Sequence, residues 1–254
     1  ISIKAHREGD WLRTILVTGG ASGIGLATCE LLTARGDRVV LVDRDGNRAI
    51  AEASRLADVG ASVEAADVDV TKADVVTSLV ADVAGRGELA GLVNAAGVLQ
   101  LGTIADVSVE DWDRVVDVNL KGTYVTCRAV IPVLEARGGG AIVNIASISG
   151  RTKSFYSAPN YVASKAGVIG LTMVLAAQHA AKNVRVNAVA PGIFRTPMAE
   201  AYSDEQWESF LPTIPLGRIG ELPEVANVIV SLLSDEWGYV TGQTINVNGG
   251  QFMM

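Results

Sequence analysis

A doubly wound α/β fold, a parallel sheet covered by helices on both faces in three α/β/α layers, is what this sequence predicts, and two observations predict it. Short apolar runs alternate with longer helical patterns from residue 14 to the end. The runs are continuously apolar, as strands buried on both faces must be.

Taken in order, the strand-like runs include Ile15-Leu16-Val17, Val39-Val40-Leu41-Val42, Leu92-Val93 and Ile142-Val143-Asn144-Ile145. Val184 to Val189 and Thr244 to Val247 continue the series, and Asp67 and Asp69 mark the end of a further strand. Amphipathic segments lie between them, near Leu26–Ala34, Ala49–Leu56, Val75–Val83, Val109–Ala136, Tyr161–Ala181 and Glu224–Leu233. Several boundaries have a local cause. Ser108 with Asp111 forms an N-cap signature, and Pro223 suits a first helical turn. Gly138-Gly139-Gly140 stops a helix before the next strand. Pro132, inside a helical pattern, should bend or interrupt it. The pattern is Rossmann-type.

The length of 254 residues suits one sizeable domain spanning 1–254, without an obvious linker. No uninterrupted apolar run approaches the ~18 residues of a membrane span. The formal charge of -7 argues against a nucleic-acid footprint. Ile1 to Asp10 is polar and lacks the apolar core of a signal peptide. Cys29 and Cys127 fall in helical segments and read as buried thiols in a reducing cytoplasm. His6 and His179 show no metal spacing, and no metal site is expected. Asp204 and Glu205 read as a surface turn.

Two motifs carry chemistry. The first is Thr18-Gly19-Gly20-Ala21-Ser22-Gly23-Ile24-Gly25, between a strand and a helix. Glycines 19, 23 and 25 let the turn tighten and the backbone approach a pyrophosphate at a helix N-terminus. Asp43 follows the second strand; a carboxylate there accepts bonds from ribose hydroxyls and repels a 2′-phosphate, favouring NAD over NADP. Arg44 next door is a cation that could pair with that phosphate. The second motif is Tyr161-Val162-Ala163-Ser164-Lys165. On a helix, Tyr161 and Lys165 share a face, and an ammonium beside a phenol should draw its pKa below the usual value of about 10. Such a phenol suits an acid/base acting on an alcohol or carbonyl.

The glycine turn, Asn94-Ala95-Ala96-Gly97, Asn119, Ser147, Tyr161 with Lys165, and Pro191-Gly192 stand in an order that resembles the short-chain dehydrogenase/reductase family, from Thr14 to roughly Gly250. The resemblance implies roles. Tyr161 would be the acid/base, Lys165 would lower its pKa and hold the nicotinamide ribose, and Ser147 would hold the substrate oxygen. Asn119 would support a water-linked proton relay, and Asn94 to Gly97 would support the sheet and approach the cofactor. Gly19, Ser22, Gly23, Ile24 and Gly25 would take the pyrophosphate. Asp69 and Val70, or less readily Asp67, would meet the adenine, and Pro191, Gly192, Ile193 and Thr196 the carboxamide. Ser147 lies one residue farther from Tyr161 than the family spacing; if the extra residue is not in the loop Arg151–Asn160, Ser149 carries the role. Tyr156 has no lysine four positions on.

The resulting expectation is an NAD-preferring oxidoreductase interconverting a secondary alcohol and a ketone. Residues 193–216 would cover the substrate, with Phe194, Met198, Tyr202, Trp207, Phe210 and Leu211 as an apolar lid. Arg151, Lys153 and Arg195 read as solvent-facing charge rather than an anion site. The closest rival is an NADPH-dependent 3-oxoacyl-carrier-protein reductase, against which Asp43 and the acidic balance speak. A catalytically silent dinucleotide-binding regulator is a third reading. The long central helix and Tyr161–Ala181 are richer in apolar residues than one core stripe needs; the resemblance implies a homotetramer or dimer packed through them, and core packing accounts for them equally well.

Overall fold

The computed structural model describes residues 13–254 apart from Glu88; Ile1 to Asp10 and His6 lie outside the described residues. The strands are β1 (Thr14–Thr18), β2 (Arg38–Asp43), β3 (Val63–Asp67), β4 (Leu89–Asn94), β5 (Gly140–Ile145), β6 (Val184–Pro191) and β7 (Thr244–Val247). The helices are α1 (Gly23–Ala34), α2 (Gly46–Ala57), α3 (Ala73–Arg86), α4 (Val109–Val116), α5 (Gly122–Ala136), α6 (Pro159–His179), α7 (Asp204–Phe210) and α8 (Leu222–Leu233). All pairings are parallel, in the order β3-β2-β1-β4-β5-β6-β7. The order reverses between β1 and β4, and a crevice opens at the carboxyl ends of the strands at such a switch point.

Alternation along each strand divides the core. Ile15, Val17, Val39 and Leu41 face α1, α2 and α8, where Leu32, Leu56 and Ile229 meet them. Leu16, Val40, Leu92 and Ile142 face the other way, onto Val76 and Val80 of α3 and Val130 and Leu134 of α5. Burying each such side chain contributes about 1.5–3 kcal/mol. The three-layer fold expected from the sequence is the one observed.

Two local details shape the site. The pattern Val109–Ala136 is interrupted not at Pro132, which α5 absorbs on its exposed side, but at a π-helical turn, Asp117–Lys121. That turn carries Asn119 into full burial. Helix α6 with the turn after it, Pro159–Lys182, is long and apolar enough for a membrane span by length and composition. Its buried residues Tyr161, Ser164, Lys165, Val168 and Thr172 face inward, and it packs on β6 and α4. It is a wall of the sheet layer.

Candidate active site

A cleft of about 360 Å³ opens above the carboxyl ends of the strands. Its floor is the glycine turn after β1. Gly19 has φ +64°, and a Cβ there would lie 2.7 Å from the Cα of Ala96. The turn is thus seated directly on Ala95 and Ala96, and Thr18 Oγ1 accepts from Ala96 N at 3.2 Å. A Cβ on Gly25 would fall 2.1 Å from the carbonyl oxygen of Gly19. These glycines let helix and turn close on each other.

The N-terminus of α1 carries no side-chain cap. Asp45 caps α2 and Ser108 caps α4 with side-chain acceptors, but Ser22 makes no such bond to α1. First-turn N–H groups of α1 therefore face the cleft unclaimed by a cap, which suits a pyrophosphate. At the adjoining end of the cleft, Asp43 accepts from Ala21 N at 3.2 Å and Asp45 N at 3.1 Å. Two backbone amides thereby fix its carboxylate beside the glycine turn, with Arg44 also on the wall. Asp69, whose carboxyl is held below the usual range chiefly by the Thr71 amide, and Val70 line the same end. Asp67 lies outside the cleft, against Gly46.

The opposite end holds Ser147, Tyr161 and Lys165. Ser147 follows β5 and Tyr161 stands in the first turn of α6, opened by Pro159. Ser147 neighbours the Tyr161 phenol, and its Oγ accepts from Ser149 N at 3.1 Å. The Ser149 hydroxyl turns instead toward Ser157, 3.4 Å away. Tyr156 points away from the cleft and bonds Ser209 at 2.9 Å.

In the protein without dinucleotide, burial acts on both members of the pair. Burial pushes the Tyr161 phenol up to about 12, with the Ser147 hydroxyl acting in the opposite sense. Burial also brings Lys165 down to about 8. Its Nζ donates to the Ile145 carbonyl at 2.7 Å and lies 5.9 Å from the Tyr161 ring centroid. Desolvation is the leading cause at both groups, and the ammonium is committed to a backbone carbonyl.

Gly23, Ile24, Gly97, Pro191, Gly192, Ile193 and Thr196 also line the cleft. Asn94 and Asn119 stand behind its wall. Asn94 accepts from Thr126 Oγ1 at 2.6 Å and donates to Asn144 at 2.9 Å. Asn119 accepts from Val98 N at 2.8 Å and donates to Ser164 at 3.0 Å. Asn119 holds Val98 by both its amide and its carbonyl, and Asn94 ties the end of β4 to α5 and β5. Val42, Val68, Leu99 and Ile148 line the cleft as well; apolar strand-end and loop residues carry no signal in the sequence that separates them from core. Among the described residues, no group of three or more His, Cys, Asp or Glu could hold a metal ion. His179 pairs with Glu135 at 2.7 Å.

The fold and this cleft define a dinucleotide-binding α/β protein of the oxidoreductase class, with Ser147, Tyr161 and Lys165 gathered at one end. A family model described as Enoyl-(Acyl carrier protein) reductase matches residues 19–251. A 3-oxoacyl-[acyl-carrier-protein] reductase of Thermotoga maritima is 40% identical over 242 residues, covering 94% of this chain and 97% of the relative. One from Staphylococcus aureus is 38% identical over 244 residues, 95% of this chain and 98% of the relative. A crystal structure of a 3-oxoacyl-[acyl-carrier protein] reductase from Brucella melitensis superposes with a TM-score of 0.90 at 34% identity, covering 95% of this chain and 92% of that one. A short-chain dehydrogenase/reductase from Mycobacterium ulcerans superposes equally, at 35% identity over 94% and 89%. The chain belongs to the short-chain dehydrogenase/reductase family. It is an oxidoreductase acting between CH–OH and keto groups, and its cofactor is a nicotinamide dinucleotide.

Proposed function

We propose that the protein interconverts a 3-oxoacyl thioester and the 3-hydroxyacyl thioester, with the acyl group presented on a carrier. The observation that carries this is the likeness to 3-oxoacyl-[acyl-carrier-protein] reductases along nearly the whole chain. It displaces the broader secondary-alcohol reading as the favoured one. Net acidity weighed against a carrier-linked substrate, but net charge is a sum over the molecule whereas docking is local.

The bound nicotinamide dinucleotide supplies the hydride. The protein's own groups handle position and protons. Tyr161 gives its phenolic proton to the substrate oxygen on reduction and takes it back on oxidation. Ser147 donates to the same oxygen as it gains charge. Lys165 restores the tyrosine's proton and holds the nicotinamide ribose. The Asn119 carboxamide keeps Val98, and so Gly97, in place beside Lys165. Residues 193–216 form the cover of the substrate end, and the outward apolar residues Tyr124, Met173 and Val174 of α5 and α6 suit packing in a homo-oligomer.

For the cofactor, the fixed Asp43 carboxylate favours NAD, while Arg44 on the same wall is the residue that would admit NADP. Following nicotinamide absorbance with acetoacetyl thioester tests the reading with both NADH and NADPH. We expect turnover that Tyr161→Phe abolishes while dinucleotide binding persists. Reduction of simple ketones without any turnover of the thioester would return the assignment to a general secondary-alcohol dehydrogenase.

A further inference from the structure

We infer that Tyr202 holds a second substrate oxygen, so that the cleft selects ketones carrying another carbonyl or hydroxyl close to the reacting one. The inference deepens the proposed thioester reading, since it names the group that would recognise the thioester carbonyl.

Three observations carry it. Tyr202 ends the short turn Pro197–Ala201 and lines the cleft together with Tyr161 and Ser149. Its ring is braced edge-on by Phe210 at 5.0 Å and Trp207 at 5.9 Å, which fixes where its hydroxyl can point. The hydroxyl neighbours Ser157, whose Oγ in turn lies 3.4 Å from Ser149 Oγ. That last separation is long for two hydroxyls, so the chain has room to tighten.

The cleft therefore carries two phenols, each backed by a serine of the same loop: Ser147 behind Tyr161, and Ser149 through Ser157 behind Tyr202. The phenols are close enough for a charge on one to disfavour a charge on the other. Burial also raises the pKa of Tyr202, so both phenols keep their protons at neutral pH. A phenol has one proton and two lone pairs. Ser157 stands beside the Tyr202 hydroxyl, and that capacity is available to the cleft. A ketone with a single oxygen engages Tyr161 and leaves Tyr202 without a substrate partner; a 3-oxoacyl group engages both. Sites built to bond a particular oxygen discriminate against analogues that lack it. Ser149 thus serves the second phenol.

The test compares kcat/KM for ethyl acetoacetate and 2-pentanone, which differ in the ester group that carries the second carbonyl, alongside an acetoacetyl thioester, in the wild type, Tyr202→Phe and Ser149→Ala. We expect the ratio of ethyl acetoacetate to 2-pentanone to fall by at least about fivefold in Tyr202→Phe, the value of one hydrogen bond. Ser149→Ala should move the ratio in the same direction and carries the test alone if Tyr202→Phe fails to fold. A smaller fall, an equal loss on both ketones, or a wild type without preference for ethyl acetoacetate overturns the inference. Wild-type turnover of ethyl acetoacetate but not of the thioester removes the thioester reading and leaves the ratio test standing. Turnover of none of the three removes both.

Discussion

Replacing Lys165 by methionine should stabilise the dinucleotide-free protein while destroying its activity. Lys165 is 5% exposed, and burial brings its ammonium from 10.5 down to about 8. That drop corresponds to about 3 kcal/mol working against folding when the group is charged in both states. Methionine has a similar length and no charge to desolvate. It also removes the Nζ bond to the Ile145 carbonyl, 2.7 Å long, at a cost of about 1 kcal/mol. The balance at pH 7 is about 2 kcal/mol in favour of the variant, or a Tm higher by about 4–8 °C for a chain of this size. The sign follows from proton counts. Below pH 8 folded and unfolded lysine are both protonated and the full penalty stands. Between 8 and 10.5 the folded lysine is the first to lose its proton, so wild-type stability rises with pH and the advantage of Lys165→Met fades. Circular dichroism melts of both proteins at pH 7 and pH 9.5, without dinucleotide, read this directly. A lower Tm for the variant at pH 7, or a gap that does not shrink by pH 9.5, would refute the reasoning.

Other substitutions probe other parts of the cleft. Gly19→Ala places a Cβ 2.7 Å from the Ala96 backbone at a φ of +64°, a strain of about 1–3 kcal/mol. Nicotinamide fluorescence titration should show dinucleotide affinity reduced more than about tenfold; unchanged affinity would mean the turn does not seat the pyrophosphate. Ser147→Ala should lower kcat/KM about a hundredfold by removing a donor to the developing oxyanion. If Ser149→Ala costs as much and Ser147→Ala little, the role belongs to residue 149. Both cysteines are fully buried, with Cys127 pushed up to about 12 and Cys29 higher still by burial. Neither should react with a disulfide reagent in the native protein, and both should in denaturant; rapid native labelling would contradict their burial.

Much of the site was legible because its chemistry needs particular residue types at particular spacings. The glycine turn, Asp43, Ser147 and the Tyr161–Lys165 pair are local patterns, and the chain brings all of them to one cleft. Strand β3 was signalled only by its end, since Val-Glu-Ala-Ala-Asp is a half-buried edge strand without a continuous apolar run. The break in the long central helix was expected at Pro132 and falls at Asp117–Lys121 instead. A proline on an exposed helix side leaves the unpaired carbonyl to water, whereas the π turn carries the buried Asn119, bonded to Val98.

Periodicity and motif order by themselves determined the parallel three-layer fold and picked out the glycine turn, Asp43, Ser147, Tyr161 and Lys165, which one cleft brings together. Those features depend on side-chain alternation and on groups a few residues apart. Only the tertiary structure decided that Lys165 faces the Ile145 carbonyl, that the Tyr161 phenol is buried, that Asn94 and Asn119 stand behind the wall, and that the Tyr202 ring is braced by Phe210 and Trp207. Each depends on desolvation and on contacts between segments distant in the chain, and neither quantity is written in local sequence.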